Sequence, residues 1–341
     1  MTDSRDSNGT GLSEQNLGRA PTESEESGEF NESGAEAEEL ADARKKARRR
    51  RMLPLIFILL GVLFLAYPIT STVWNNHQAK LVSRAYENHV NNQSQELKDS
   101  YIARAREYNE NHKGYPVLDP YLGDAAPDSP EYREYLNVLD QPSGIIGVVK
   151  IPKIDVKLSM YHGTDHDTLN KGAGHMFGSD LPVGGVDRHT VITAHTGLPS
   201  STMFDRLTDL KVGDKFFFEV QDQTFGYRVT RIDVVGPHDP SLLGRVEGKD
   251  LATLLTCTPY GINSHRLLVT GERVIPTPDV PPVNGVQWSW WMTPFLLAIL
   301  ISLVIAAQVA RYLAGRRKKE KEEESAEGAK APDSLAEAEL A

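Results

Sequence analysis

The chain of 341 residues has one cysteine, Cys257. A single cysteine has no second cysteine for a disulfide, and cysteine outside disulfides is among the most buried residue types, so the plain reading is a small core side chain. Other absences narrow the chemistry. No Gly-rich phosphate loop occurs, and no serine stands in a Gly-x-Ser-x-Gly setting, so the serine-hydrolase nucleophile has no candidate. His162 and His166 stand four apart, but Gly163 lies between them and no His-Glu-x-x-His is formed. No metal site is expected, and no cofactor is called for. The net charge of −10 lies largely in acidic tails, and nothing favours nucleic acid as a partner. There is no internal repeat.

The tails lack large apolar side chains. Residues 1–51 begin as a Ser-, Gly- and Glu-rich stretch that cannot bury enough surface to offset its chain entropy, and is read as disordered. It ends in the basic cluster Arg44-Lys-Lys-Ala-Arg-Arg-Arg-Arg51. Residues 52–73 then carry no charge and are long enough to cross a bilayer, which takes about 20 apolar residues. A cleaved signal peptide is disfavoured, because a whole signal peptide runs to only about 15–30 residues and no small-x-small cleavage site follows. A second span is expected over 290–312. Trp288, Trp290 and Trp291 stand at its start, and Arg316, Arg317, Lys318 and Lys319 in the charged tail 313–341. Basic clusters before the first span and after the second place both termini in the cytoplasm by the positive-inside rule. The segment between them then lies outside the cell membrane. In that compartment cysteines are commonly paired, so a single thiol is marked out as reactive.

Residues 74–140 read as helices followed by a proline-rich loop. Leu97, Tyr101, Ala105 and Tyr108 recur at helical spacing. Asp119-Pro120-Tyr121 reads on its own as a turn. From 141 to 276 the pattern is β, with short apolar runs at 145–151, 156–160, 190–193, 215–220, 226–235, 251–256 and 266–274. Short strands separated by turn signals suggest an all-β barrel or sandwich. A linker over 277–289 leads to the second span.

Three polar residues stand at strand ends. Cys257 closes the run Leu251-Ala-Thr-Leu-Leu-Thr and precedes the loop Pro259-Tyr-Gly261. Arg266 opens the next strand, where a permanent cation beside a thiol would favour the thiolate. His195 ends Val191-Ile-Thr-Ala and runs into a Gly-Pro loop, in the setting of a general acid or base or of a surface loop histidine.

Thr253-Leu-Leu-Thr-Cys257-Thr-Pro-Tyr-Gly-Ile-Asn-Ser-His-Arg266, with the Gly-x-Arg ending at Arg273, resembles the motif of the sortases, in their class C, pilin-polymerising group. Leu181-Pro-Val-Gly-Gly185 and Val191 to Ser200 resemble the histidine region of that family. The resemblance covers roughly residues 65–312. It implies a mainly β fold, an eight-stranded barrel with N-terminal helices, flanked by two transmembrane helices. It implies Cys257, His195 and Arg266 as catalytic residues, and Asp119, Pro120 and Tyr121 as an inhibitory lid, tyrosine being a departure from the usual Trp or Phe. It further implies a cysteine transpeptidase that cleaves a Leu-Pro-x-Thr-Gly-like motif between Thr and Gly. The Thr would then be joined to a lysine amine of a pilin. A sortase that anchors surface proteins to the cell-wall peptide is the alternative. A non-enzymatic surface protein is the remote one, because Val280-Pro-Pro-Val-Asn-Gly285 replaces a sorting motif before the second span.

Overall fold

The computed structural model describes residues 26–112, 129–141, 143–237 and 239–330. They fall into two compact units, one of residues 60–305 and one of the flanking segments up to 59 and from 306.

The flanking unit is helical. Helix α1 (Glu26–Asn91) and the C-terminal helix α5 (Met292–Lys330) supply its two segments, which share an ion pair between Arg51 and Glu320 at 2.7 Å. Both helices contain stretches long and apolar enough to cross a membrane. Helix α1 starts inside the stretch read from composition as disordered. The Ala-, Glu-, Leu- and Arg-rich segment 35–51 consists of strong helix formers, which explains the early start. It also runs on past 73 without a break.

The larger unit is a closed barrel of β1 (Ile145–Ile151), β2 (Val156–His162), β3 (Ala173–His175), β4 (Arg188–Thr193), β5 (Lys215–Val220), β6 (Gln223–Val235), β7 (Asp250–Thr258) and β8 (His265–Arg273). The strand order is β1-β2-β3-β4-β7-β8-β6-β5, the eight-stranded barrel that the resemblance implies. Two neighbouring pairs, β2 with β3 and β4 with β7, run parallel. Closure leaves no sheet edge to attract other chains.

Period-2 alternation sends Phe216 and Phe218 of β5 inward against Tyr227 of β6, with ring centroids 5.6 and 5.4 Å away. Ala252, Leu254, Leu267 and Val269 face the same interior. Gly271 of β8 is required by close approach: a Cβ there would lie 2.8 Å from the Phe216 ring.

Helix α2 (Gln95–Asn111) begins at Ser94, whose side chain accepts from Leu97 N–H at 3.3 Å. Its buried face is Lys98, Ile102, Ala105, Tyr108 and Asn109. The expected stripe is therefore right in Ala105 and Tyr108, Tyr101 packs half-buried against the core, and Leu97 is exposed, one position off. A short helix, α3 (Pro130–Leu136), follows.

A second apolar cluster lies on the other face of β4, β7 and β8. Val191, Leu255 and Leu268 pack there with Met176 and with Leu243 of the β6–β7 connection. Both faces of β7 are thus covered, which is why Leu251-Ala-Thr-Leu-Leu-Thr shows no apolar-polar alternation.

Candidate active site

Cys257 and Arg266 are direct partners in the antiparallel ladder of β7 and β8. Residues opposed in this way project from the same face, with Cβ atoms about 4.5–5.5 Å apart. Strand β4 runs parallel to β7 on its other side, in register from Arg188 with Asp250 to Thr193 with Leu255. The alignment continues beyond the end of β4. Ala194 N–H donates to Leu255 O at 3.3 Å, and Thr256 Oγ1 donates to Ala194 O at 2.8 Å. The backbone of His195 therefore arrives abreast of Cys257.

Alternation settles the face. Cys257 lies two residues beyond Leu255, Arg266 two before Leu268, and His195 four beyond Val191. All three reference residues belong to the second apolar cluster. The thiol, the guanidinium and the imidazole thus share one face and one end of three adjacent strands.

Cys257 is 7 % exposed and Arg266 6 %, while His195 is half-buried. Arg266 Nη1 donates to the carbonyls of Asn263 at 3.1 Å and His265 at 3.2 Å, so the β7–β8 turn fixes its side chain. That turn needs Asn263 at φ 58°, a left-handed conformation that asparagine tolerates well. Burial lowers the pKa of His195, and the nearby His166 lowers it further. The ring is accordingly neutral at neutral pH and can accept a proton. His162 sits elsewhere, its Nε2 bonded to Val138 O at 2.7 Å.

Sequence reasoning missed Asp205. Its carboxylate accepts from Gly197 N–H at 2.8 Å and Thr196 Oγ1 at 3.2 Å, bracing the turn that follows His195. Only an aspartate ten residues past a histidine marked it, and that spacing carries no signal by itself. Asp119, Pro120 and Tyr121 lie outside the described residues.

Residues 149–274 match the sortase domain family model. Sortase C-1 of Actinomyces oris is 50 % identical in sequence, with a TM-score of 0.51 over 52 % of this chain and 98 % of that one. Sortase C of Streptococcus pneumoniae is 41 % identical, with a TM-score of 0.53 over 58 % and 99 %. Sortase D of Bacillus subtilis is 30 % identical over 131 residues, which make up 38 % of this chain and 63 % of that relative's length. The chain belongs to the sortase family of cysteine transpeptidases. Most of the similar solved structures are sortases C, which puts it in class C.

Proposed function

We propose that this chain cleaves a Leu-Pro-x-Thr-Gly-like sorting motif between Thr and Gly and joins the Thr to a lysine amine of a pilin. The observation that carries the reading is the alignment of His195, Cys257 and Arg266 on one face at one end of β4, β7 and β8. The Streptococcus pneumoniae sortase C, a structural neighbour, has pilin substrates.

In this reading Cys257 gives its proton to neutral His195, and the thiolate attacks the Thr carbonyl carbon. Arg266 donates hydrogen bonds to the oxyanion as it forms. The C–N bond to Gly breaks, His195 returns its proton to the departing amine, and a thioester remains on Cys257. A lysine amine must then be neutral to attack, and its reference pKa is near 10.4. His195 takes its proton as the new amide forms and the thiolate leaves. The barrel works on the outer face of the membrane, with both termini in the cytoplasm.

The test is mass spectrometry of the full chain in detergent with a sorting-motif peptide and either a lysine-bearing pilin or a wall-peptide amine. The thioester adduct and the peptide–pilin product are expected. Cys257→Ala should abolish both, and Arg266→Lys should lose most turnover, because lysine lacks the planar fork of donors. Full turnover by Cys257→Ala would sink the nucleophile, and exclusive transfer to the wall amine would replace pilin polymerisation with wall anchoring.

A further inference from the structure

The loop from His195 to Asp205 is closed on itself. Phe204 N–H donates to His195 O at 3.0 Å, and Asp205 N–H to Thr202 O at 2.8 Å. Phe204 and Leu207 are fully buried and root its far end in the core. Inside the loop, the Asp205 carboxylate holds Thr196 and Gly197, the two residues after His195.

From outside, two further segments grip the same loop. Helix α1 presents Thr72, Asn75 and Asn76 on one face, at the i, i+3 and i+4 spacing that brings side chains together. Thr72 Oγ1 donates to Pro199 O at 3.3 Å, and Asn75 Nδ2 to Ser200 O at 2.8 Å. Asn76 is 7 % exposed and does most. It donates to Thr202 Oγ1 at 2.7 Å and accepts from Thr202 N–H at 3.0 Å and Ser201 Oγ at 3.4 Å. On the other side Ser289 Oγ donates to Asp205 Oδ2 at 2.9 Å. Trp290 meets Tyr260 of the β7–β8 turn edge-on, with centroids 5.7 Å apart. Thr72 closes the apolar run of α1 and Asn75 and Asn76 follow it, and Ser289–Trp290 precede α5.

We propose that Asn76 and Asp205 are positioning residues for His195: Asn76, just past the apolar run of α1, and Asp205, bonded by Ser289 just before α5, hold the imidazole abreast of Cys257. The inference rests on the catalytic reading of His195 above. Buried amide and carboxylate groups that satisfy loop backbone are costly to remove, because their partners are left unpaired. A misplacement of the base by about 1 Å costs up to about a hundredfold in rate. Neither residue needs to touch substrate for this.

The experiment uses the full chain in lipid nanodiscs, with Asn76→Ala, Asp205→Ala and Asp205→Asn beside Cys257→Ala. Two readouts are taken: kcat and KM on a sorting peptide, and amide hydrogen exchange of residues 196–204. Asn76→Ala and Asp205→Ala should lower kcat more than about tenfold with KM held within about twofold. Exchange in the loop should rise in both. Asp205→Asn should restore kcat, since an amide oxygen accepts the same two bonds from Thr196 and Gly197. If Asp205→Ala does not fold, Asn76→Ala outside the barrel decides alone. Unchanged loop exchange overturns the inference whatever the activity, and so does faster exchange with wild-type kcat. Turnover by Cys257→Ala instead overturns the reading of the site, and loop exchange then still shows whether the clamp exists.

Discussion

Burial pushes the Asp205 carboxyl up to about 6, against hydrogen bonds from Gly197, Ser289 and Thr196 that favour its charged form. Its folded pKa thus stands above the unfolded value of 3.8. The folded state binds this proton more tightly, so the group's contribution to stability is complete below 3.8 and is lost as pH rises through about 6. Asp205→Asn cannot titrate. Its melting temperature should therefore gain on the wild type as pH rises from 3.8 to about 6, a window set by those two pKa values. Thermal unfolding of both proteins over that range checks this, and a constant difference would contradict it. Sequence alone pointed to Cys257, because it has no rival, and to Arg266 and His195 through strand ends and family motif. Asp205 and Asn76 were illegible. Asn76 acts on a loop far away in sequence and Asp205 on the backbone of its own irregular loop, and short polar side chains carry no periodic signal.

Among the elements, α3 is seven residues long and needs anchoring. Its anchor is Tyr135, whose hydroxyl bonds His175 Nδ1 at 2.9 Å and receives the Gly163 N–H at 3.0 Å. His175 Nε2 meets Asp180 O at 2.8 Å and must donate to it, so Nδ1 accepts from Tyr135. Burial lowers the pKa of this imidazole to about 3, so it stays neutral. Tyr135→Phe would leave two buried groups without a partner, at about 1–3 kcal/mol each. We expect a stability loss of roughly 2–6 kcal/mol in denaturant titration, and a loss under about 0.5 kcal/mol, the level of a surface substitution, would show the network to be inert. Seven strands were legible because each repeats apolar side chains over at least four residues. Strand β3, Ala173–His175, was not, since three residues hold too little alternation to stand out. The parallel pairing of β4 with β7, on which the alignment of His195 depends, joins strands far apart in sequence and could not be read from either.

At the scale of the molecule, the two apolar helices and the basic clusters beside them carry an expectation about sidedness. Protease added to sealed, right-side-out vesicles should release a fragment running from about residue 75 to 287. Protection of that segment would reverse the topology. Composition located both apolar spans but not the length of α1, because polar Ala- and Arg-rich sequence can be helical without being amphipathic. One contact has a consequence in time. A chain is made from its N-terminus, and β8 is complete at Arg273, so every strand and all three of His195, Cys257 and Arg266 are made before Ser289. The bond from Ser289 to Asp205 then becomes available during synthesis after the grip of Asn76 on the same loop. The nascent barrel can close first, and the second grip on its loop arrives only once the segment before α5 has left the ribosome.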